Sequence, residues 1–409
     1  MDCSTPRFPK SVGKTLKNKN IQGLRAIAVL AVVLYHAGFS WIPGGFIGVD
    51  VFFVISGFLI TQLIVKELKT TGTLNFSQFY ARRLRRLLPT AAVVIVTTIG
   101  VSRHLISPLR FRDTGIDALS SIFNAANYRF YFSEIDYLNS GDKPSLFLHF
   151  WSLSVEEQFY LIWPLLIFIG YKLFKQLGIL ALLIPVAGFS FYYSLQLTES
   201  NSTLAFYSLP TRSWEFAIGS LAYLCIWKLH RIPGFFKFLF GWTGLAGLIY
   251  SFITIKDTLP FPGLIVLIPA TSTVLVLLAS FHGKFLGSFL ISNPLFYFIG
   301  AISYSLYLWH WPIYQLMVEV LGFKPTGTNL YLYFALTLTF TLLTYFLVEE
   351  PIRNYRRLWP RPKFTFIWAG ILSSMSVFVA MTLLGLNLGA SNFTTVSPTT
   401  EQAPVINLI

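Results

Sequence analysis

Arg25 and His36 stand eleven residues apart in one apolar segment, Ile21-Gln-Gly-Leu-Arg-Ala-Ile-Ala-Val-Leu-Ala-Val-Val-Leu-Tyr-His36. At ~100° and ~1.5 Å per residue, eleven steps close roughly three helical turns and climb roughly 16 Å, so both side chains lie on one face at different depths. An ionisable group facing lipid costs roughly 2.5 kcal/mol or more, so such residues turn toward the protein interior and mark a functional path. The bland reading is an arginine snorkelling at the end of a span and a satisfied core histidine. A buried imidazole with a carboxylate orienting its ring suits removal of a proton from a hydroxyl as an acyl group arrives. A cation on the same face but deeper suits a negatively charged donor.

Other segments bring further polar residues to the same layer. His310 sits in Ile302-Ser-Tyr-Ser-Leu-Tyr-Leu-Trp-His310-Trp-Pro312, Asp50 in Gly48-Val-Asp-Val-Phe-Phe, and Arg212 and Glu215 in Pro210-Thr-Arg-Ser-Trp-Glu215. His149, Trp151, Ser152, Glu156 and Glu157 share His149-Phe-Trp-Ser-Leu-Ser-Val-Glu-Glu-Gln-Phe-Tyr160. Counting residues from the span ends places His36 roughly 21 Å into a hydrocarbon core ~30 Å thick, with His310 at a similar depth and the rest in the same outer half. Singly, each has a plain alternative. Asp50 suits a helix N-terminus, Arg212 and Glu215 suit a structural pair at i, i+3, and His149 suits a helix start. Adjacent Glu156 and Glu157 project ~100° apart, so only one faces a site squarely. No metal is expected, because nothing has ligand spacing such as His-Glu-x-x-His.

The elements that carry these residues read as an all-α, polytopic membrane bundle. Of the 409 residues 54% are hydrophobic, 17% aromatic and 12% charged, which exceeds what a soluble core absorbs. We read eleven spans, at about 22–38, 47–65, 88–106, 150–170, 177–196, 208–227, 238–255, 263–281, 294–320, 329–348 and 364–386. No cleavable signal peptide precedes them. Residues 1–20 form a basic tail, and residues 387–409 a polar, Thr-, Ser- and Pro-rich tail. Leu74 to Pro89 intersperses Arg82, Arg83, Arg85 and Arg86 with aromatic and aliphatic residues, as an interfacial helix does. The segment 107–148 reads as a long outer loop.

A net charge of +14 invites a nucleic-acid reading, but most of the 31 Lys and Arg residues fall in alternate loops. The positive-inside rule accounts for that asymmetry, puts the N-terminus in the cytoplasm and, with an odd number of spans, the C-terminus outside. The two cysteines, Cys3 and Cys225, build no disulfide framework.

Six ordered motifs together resemble the bacterial acyltransferase-3 family of membrane O-acyltransferases. They are Arg25-x10-His36, Gly48-Val-Asp50-Val-Phe-Phe-Val-Ile-Ser-Gly-Phe-Leu-Ile60, Tyr80-Ala-Arg-Arg-Leu-Arg-Arg-Leu-Leu-Pro89, His149 to Tyr160, Ser303-Tyr-Ser-Leu-Tyr-Leu-Trp-His310 and Val348-Glu-Glu-Pro351. The likeness implies a domain over residues 21–360, an additional span over 361–386 and an inner-membrane location in a bacterium. It implies transfer of an acetyl or related acyl group from cytoplasmic acyl-coenzyme A to a hydroxyl of an envelope glycan such as O-antigen, exopolysaccharide or peptidoglycan. Some family members carry an outer SGNH-hydrolase-like domain, so a separate domain or protein of that kind is an expected partner, alongside membrane lipids.

By this resemblance Arg25 and His36 are the essential pair, and the cytoplasmic Arg-x-x-Arg motif maps onto Arg82 to Arg85 or Arg83 to Arg86. The expected arrangement has donor phosphates at Arg82, Arg83, Arg85 and Arg86 and the donor arm running past Arg25. His36 is then the base, Glu156 or Asp50 its orienting group, and His310 or Arg212 the oxyanion partner. His149, Trp151, Ser152, Arg212, Glu215 and Tyr304 are expected on the acceptor or oxyanion side. Two other readings stay open: an acyl-enzyme on His36 or Ser152, and a transporter or flippase for a lipid-linked glycan.

Overall fold

The computed structural model describes residues 19–137, 143–226, 233–281, 288–354 and 362–391. Among these residues the chain is helical throughout, with no strand. The helices are α1 (Lys19–His36), α2 (Gly48–Thr71), α3 (Phe76–Leu105), α4 (Pro108–Ile122), α5 (Ala126–Tyr137), α6 (Phe150–Ser200), α7 (Ser202–Tyr207), α8 (Leu209–Cys225), α9 (Gly234–Thr254), α10 (Leu267–Phe281), α11 (Ser288–Ile291), α12 (Pro294–Leu321), α13 (Thr328–Thr344), α14 (Glu350–Asn354) and α15 (Pro362–Ser391). A π-helical stretch, Tyr345–Glu349, joins α13 to α14.

Among the described residues helix occupies most of every stretch read as a span. Six of the helices are long and apolar enough by themselves to cross a membrane: Gly45–Thr71, Phe76–Leu105, Phe150–Ser200, Gly234–Thr254, Thr328–Asn354 and Pro362–Gly385. α6 carries two expected spans, because Phe174 and Lys175 leave helical geometry and fold it back on itself. The other four stretches expected to span fall on α1, α8, α10 and α12, which are not among those six. α8 and α10 are shorter, and α1 and α12 carry polar residues that lower their hydropathy. Together the helices make a multi-pass membrane protein.

Two expectations change. The interfacial helix expected over 74–89 is not separate; it runs without a break through Pro89 into the next span as α3, with the Asn75 side chain capping its start by accepting from the Gln78 N–H. The segment 107–148 is not a loop but holds α4 and α5, and α4 packs against α3 and α15. Ser107 caps α4 and Pro108 opens it, since proline lacks only an N–H that the first turn leaves unpaired anyway. Residues 138–142 of this segment lie outside the described residues, as do most of the two tails.

Close helix contacts set the register of the site. α1 packs against α12, where a Cβ on Gly300 would meet the Gln22 carbonyl oxygen at 1.9 Å, so only glycine lets the two backbones approach. α2 meets α8 in the same way: a Cβ on Gly57 would lie 2.0 Å from the Phe216 carbonyl oxygen, and one on Gly219 equally close to that of Val54. The first contact faces Arg25 and His36 toward α12; the second faces Asp50 toward Arg212.

Candidate active site

The α12 register puts Gly300, Ser303, Tyr307 and His310 at spacings of three, four and three, one continuous helical face. That face lies against the Arg25 and His36 face of α1. Arg25 donates to Ser303 Oγ at 2.7 Å and to Gln22 Oε1 at 3.3 Å. About three turns further along, His36 Nδ1 lies 3.0 Å from His310 Nε2, the rings stacked with centroids 5.2 Å apart. Trp311 sets its edge against His36 at 4.7 Å and ties its own indole N–H to the Ser145 carbonyl at 2.8 Å.

Local hydrogen bonds fix which nitrogen carries which proton. His310 Nδ1 sits 2.6 Å from the Tyr307 carbonyl oxygen, which can only accept, so Nδ1 is the N–H. In the neutral ring Nε2 is then a lone pair, and it accepts from His36 Nδ1–H. The proton on His36 is thereby assigned to Nδ1, leaving His36 Nε2 as a free base. Here the expected orienting group is corrected. Neither Glu156 nor Asp50 bonds to His36; His310, itself set by a backbone carbonyl, takes that place. His149 adds a third ring beside His310, centroids 5.7 Å apart, with its Nε2–H on the Leu308 carbonyl at 3.1 Å. Among the described residues no group of three or more His, Cys, Asp or Glu has the geometry to hold a metal ion.

His36 lines a cavity of about 630 Å³ that also meets Asp50, His149, Trp151, Arg212 and Trp311. Its base is a fully buried ion cluster: Arg212 pairs with Asp50 and, at 3.1 Å, with Glu215, which stands behind it. Phe261, Phe53 and Trp151 surround the guanidinium at 5.2, 5.6 and 6.0 Å. Breaking such a pair strands a buried charge at a cost of roughly 3–5 kcal/mol. Arg212 is thus structural as well as cavity-lining.

Arg25, Arg83, Arg86, Ser56, Glu156 and Tyr304 line a second, smaller space of about 70 Å³. Glu156 accepts from Ser56 and Tyr160 there, and Tyr304 donates to the Leu87 carbonyl at 2.9 Å. Glu156 was expected to orient His36 and Tyr304 to stand on the acceptor or oxyanion side; both line the space at the arginine end. Of the four arginines only Arg83 and Arg86 line this pocket. Arg83 stacks over Tyr160 at 5.3 Å, Arg82 pairs with Glu67 at 3.3 Å, and Arg85 returns to the Ala81 carbonyl at 3.2 Å. Both expected pairings are i, i+3 neighbours that share a helix face, and the face that lines this pocket is the one with Arg83 and Arg86.

Tyr307 lines both spaces. Its hydroxyl lies 2.6 Å from Ser152 Oγ and donates to the His149 carbonyl at 3.0 Å, so the ring is a wall between them. Ser152, expected on the acceptor side, is buried behind this wall. Sequence reasoning assigned no role to Tyr307, Ser303 or Ser56, nor to Glu349, which accepts from Ser305 at 2.7 Å and pairs with Arg353 at 3.3 Å. The polar spacing along Ser303, Tyr307 and His310 was the available signal.

Comparison with known proteins gives this geometry its context. The model of the acyltransferase domain family matches residues 18–349. The chain belongs to that family. It is 30% identical to the peptidoglycan O-acetyltransferase OatA of Listeria monocytogenes over 417 aligned positions, covering 94% of this chain and 66% of OatA. It is 33% identical to YrhL of Bacillus subtilis over 353 residues, covering 82% of this chain and 54% of YrhL. The protein SACOL0978 of Staphylococcus aureus is 31% identical over 353 residues, with 82% and 57% covered. The chain therefore spans between about half and two thirds of the length of these relatives. No solved structure matches this acyltransferase-family chain.

Proposed function

We propose that the protein is an O-acetyltransferase of the bacterial cytoplasmic membrane, carrying an acetyl group from acyl-coenzyme A at the arginine end to a hydroxyl of an envelope glycan in the His36 cavity. The observation that carries this reading is the relay from the Tyr307 carbonyl through His310 to His36, which leaves one unprotonated nitrogen facing a cavity large enough for a sugar. The peptidoglycan acceptor in the name of OatA supports a cell-wall glycan as the target.

In this reading the N-terminus and the arginines face the cytoplasm, and the large cavity faces outward. Arg83 and Arg86 take phosphate oxygens of the donor, for which the guanidinium fork is suited. Arg25 lies between them and the relay. His36 Nε2 accepts the acceptor's hydroxyl proton as that oxygen attacks the thioester carbonyl. The C–O bond forms, the C–S bond breaks, and the leaving thiolate takes the proton back from His36. His310 Nε2, already accepting from His36 Nδ1–H, steadies the imidazolium in between.

The test is acetyl transfer from radiolabelled acetyl-coenzyme A to cell-wall glycan in membranes holding the wild-type protein or His36→Ala. General-base catalysis contributes roughly 10²–10⁴-fold, so the variant should lose at least ~10²-fold at equal membrane abundance. Transfer within a few-fold of wild type would remove His36 from the mechanism.

A further inference from the structure

The large cavity carries information about the charge of its ligand. Its wall is a run of touching rings: Trp151 on Phe206 at 4.4 Å, Phe206 on Tyr207 at 4.9 Å, Phe206 on Phe261 at 5.9 Å and Phe46 on Phe261 at 5.0 Å. Rings of this kind bury the apolar faces of a flat, hydroxylated molecule while the polar edges turn elsewhere. At the base, Arg212 is fully buried and lines the cavity, and its Nη1 has no hydrogen-bond partner. That N–H group is also closed to solvent in this packing, so an oxygen reaches it only where a ring beside it gives way.

The oxygen it can accept is constrained by its neighbours. One guanidinium stands between two carboxylates, Asp50 and Glu215, and so has no positive charge to spare. The cluster is formally anionic, or neutral with one carboxyl protonated. At the mouth Asp257, held by the Tyr35 hydroxyl at 2.9 Å, adds a negative charge, while among the described residues no Lys or Arg other than Arg212 lines the cavity. An anion entering here would find like charge at the mouth and, at the base, a cation already neutralised by its own carboxylates, in a space where burial strengthens the repulsion.

Resting on the O-acetyltransferase reading, we propose that the cavity is the subsite for an uncharged saccharide unit, with a hydroxyl or amide carbonyl oxygen on Arg212 Nη1 and the sugar face on the Trp151, Phe206 and Phe261 wall. Uronic-acid and phosphorylated sugars are rejected. Neutral sugars bearing amide groups fit both the rings and the free N–H.

Binding measured apart from turnover tests this. The full chain in lipid nanodiscs is titrated with chitotriose, which is neutral, and with trigalacturonate, an anionic trisaccharide, by quenching of tryptophan fluorescence. Chitotriose should bind at least ~10-fold more tightly at low ionic strength, the gap narrowing as salt screens the mouth. Asp257→Asn should narrow it too, by improving trigalacturonate alone, whereas Phe206→Ala should weaken both sugars together. Equal or tighter binding of trigalacturonate, or no binding of either sugar, overturns the proposal. Preference for chitotriose without acetyl transfer to it upholds the subsite and removes the transferase reading instead.

Discussion

The two spaces on either side of Tyr307 differ in nearly every property that recognises a ligand. The larger one is walled by aromatic rings, floored by an ion cluster with no spare positive charge and overlooked by an unprotonated imidazole nitrogen. The smaller one is narrow and cationic, with Arg25, Arg83 and Arg86 partly offset by Glu156. One suits a neutral sugar, the other a phosphate-bearing donor. The difference teaches that, on the proposed reading, donor and acceptor would be told apart by charge as well as by position, with the phenol ring that lines both spaces between them.

That contrast can be broken at three points. His310→Ala should have the largest effect: with no acceptor at His36 Nδ1, the imidazole is free to turn and to change tautomer, and transfer should fall by roughly 10²-fold. The rate of acetyl transfer in membranes, with donor KM near wild type, checks it. An effect confined to KM would mean that His310 serves the donor instead. Next, Arg83→Ala removes a charge from the small pocket and should weaken acetyl-coenzyme A binding by about 10-fold or more, as lost charge-assisted hydrogen bonds do. Thermal-shift titration with the nucleotide reads this. Chitotriose binding should be unchanged, and a matching loss there would mean that the two spaces are not independent. The smallest change is Tyr307→Phe, which keeps the ring but removes its hydroxyl contacts to Ser152 and His149. A hydrogen bond worth about 1 kcal/mol allows roughly a five-fold rise in acetyl-coenzyme A hydrolysis without acceptor. Release of free thiol measures it, and an unchanged rate would separate the latch from the partition.

Much of this arrangement is legible in the sequence because helical periodicity is rigid. Eleven residues between Arg25 and His36 fix their shared face, and the depth count brings His36, His310, Asp50 and Arg212 to one end of the bundle. The same arithmetic was available for Glu156 and Tyr304. Glu156 lies seven residues beyond His149, about 10 Å further along α6, and Tyr304 lies six before His310, about 9 Å the other way. Both therefore belong with Arg25, and treating the outer half as a single layer hid that. The partner of His36 was less accessible: a carboxylate is the usual companion of a catalytic imidazole, and only tertiary packing through Gly300 brings His310 to it. In the fold, α4 and α5 escaped because amphipathic helices outside the spans lack long apolar runs, although Ser107-Pro108 already marked a helix start.

Tyr307 performs two tasks through two chemically independent parts. Its main-chain oxygen holds the His310 proton and is anchored by the α12 ladder, while its phenol hangs on a rotatable Cα–Cβ bond. On the proposed reading, a turn of the phenol about that bond would open the way between the two spaces without disturbing the oxygen that keeps the relay in register. Passage and base strength would then be set by different parts of one residue, and either could change without the other.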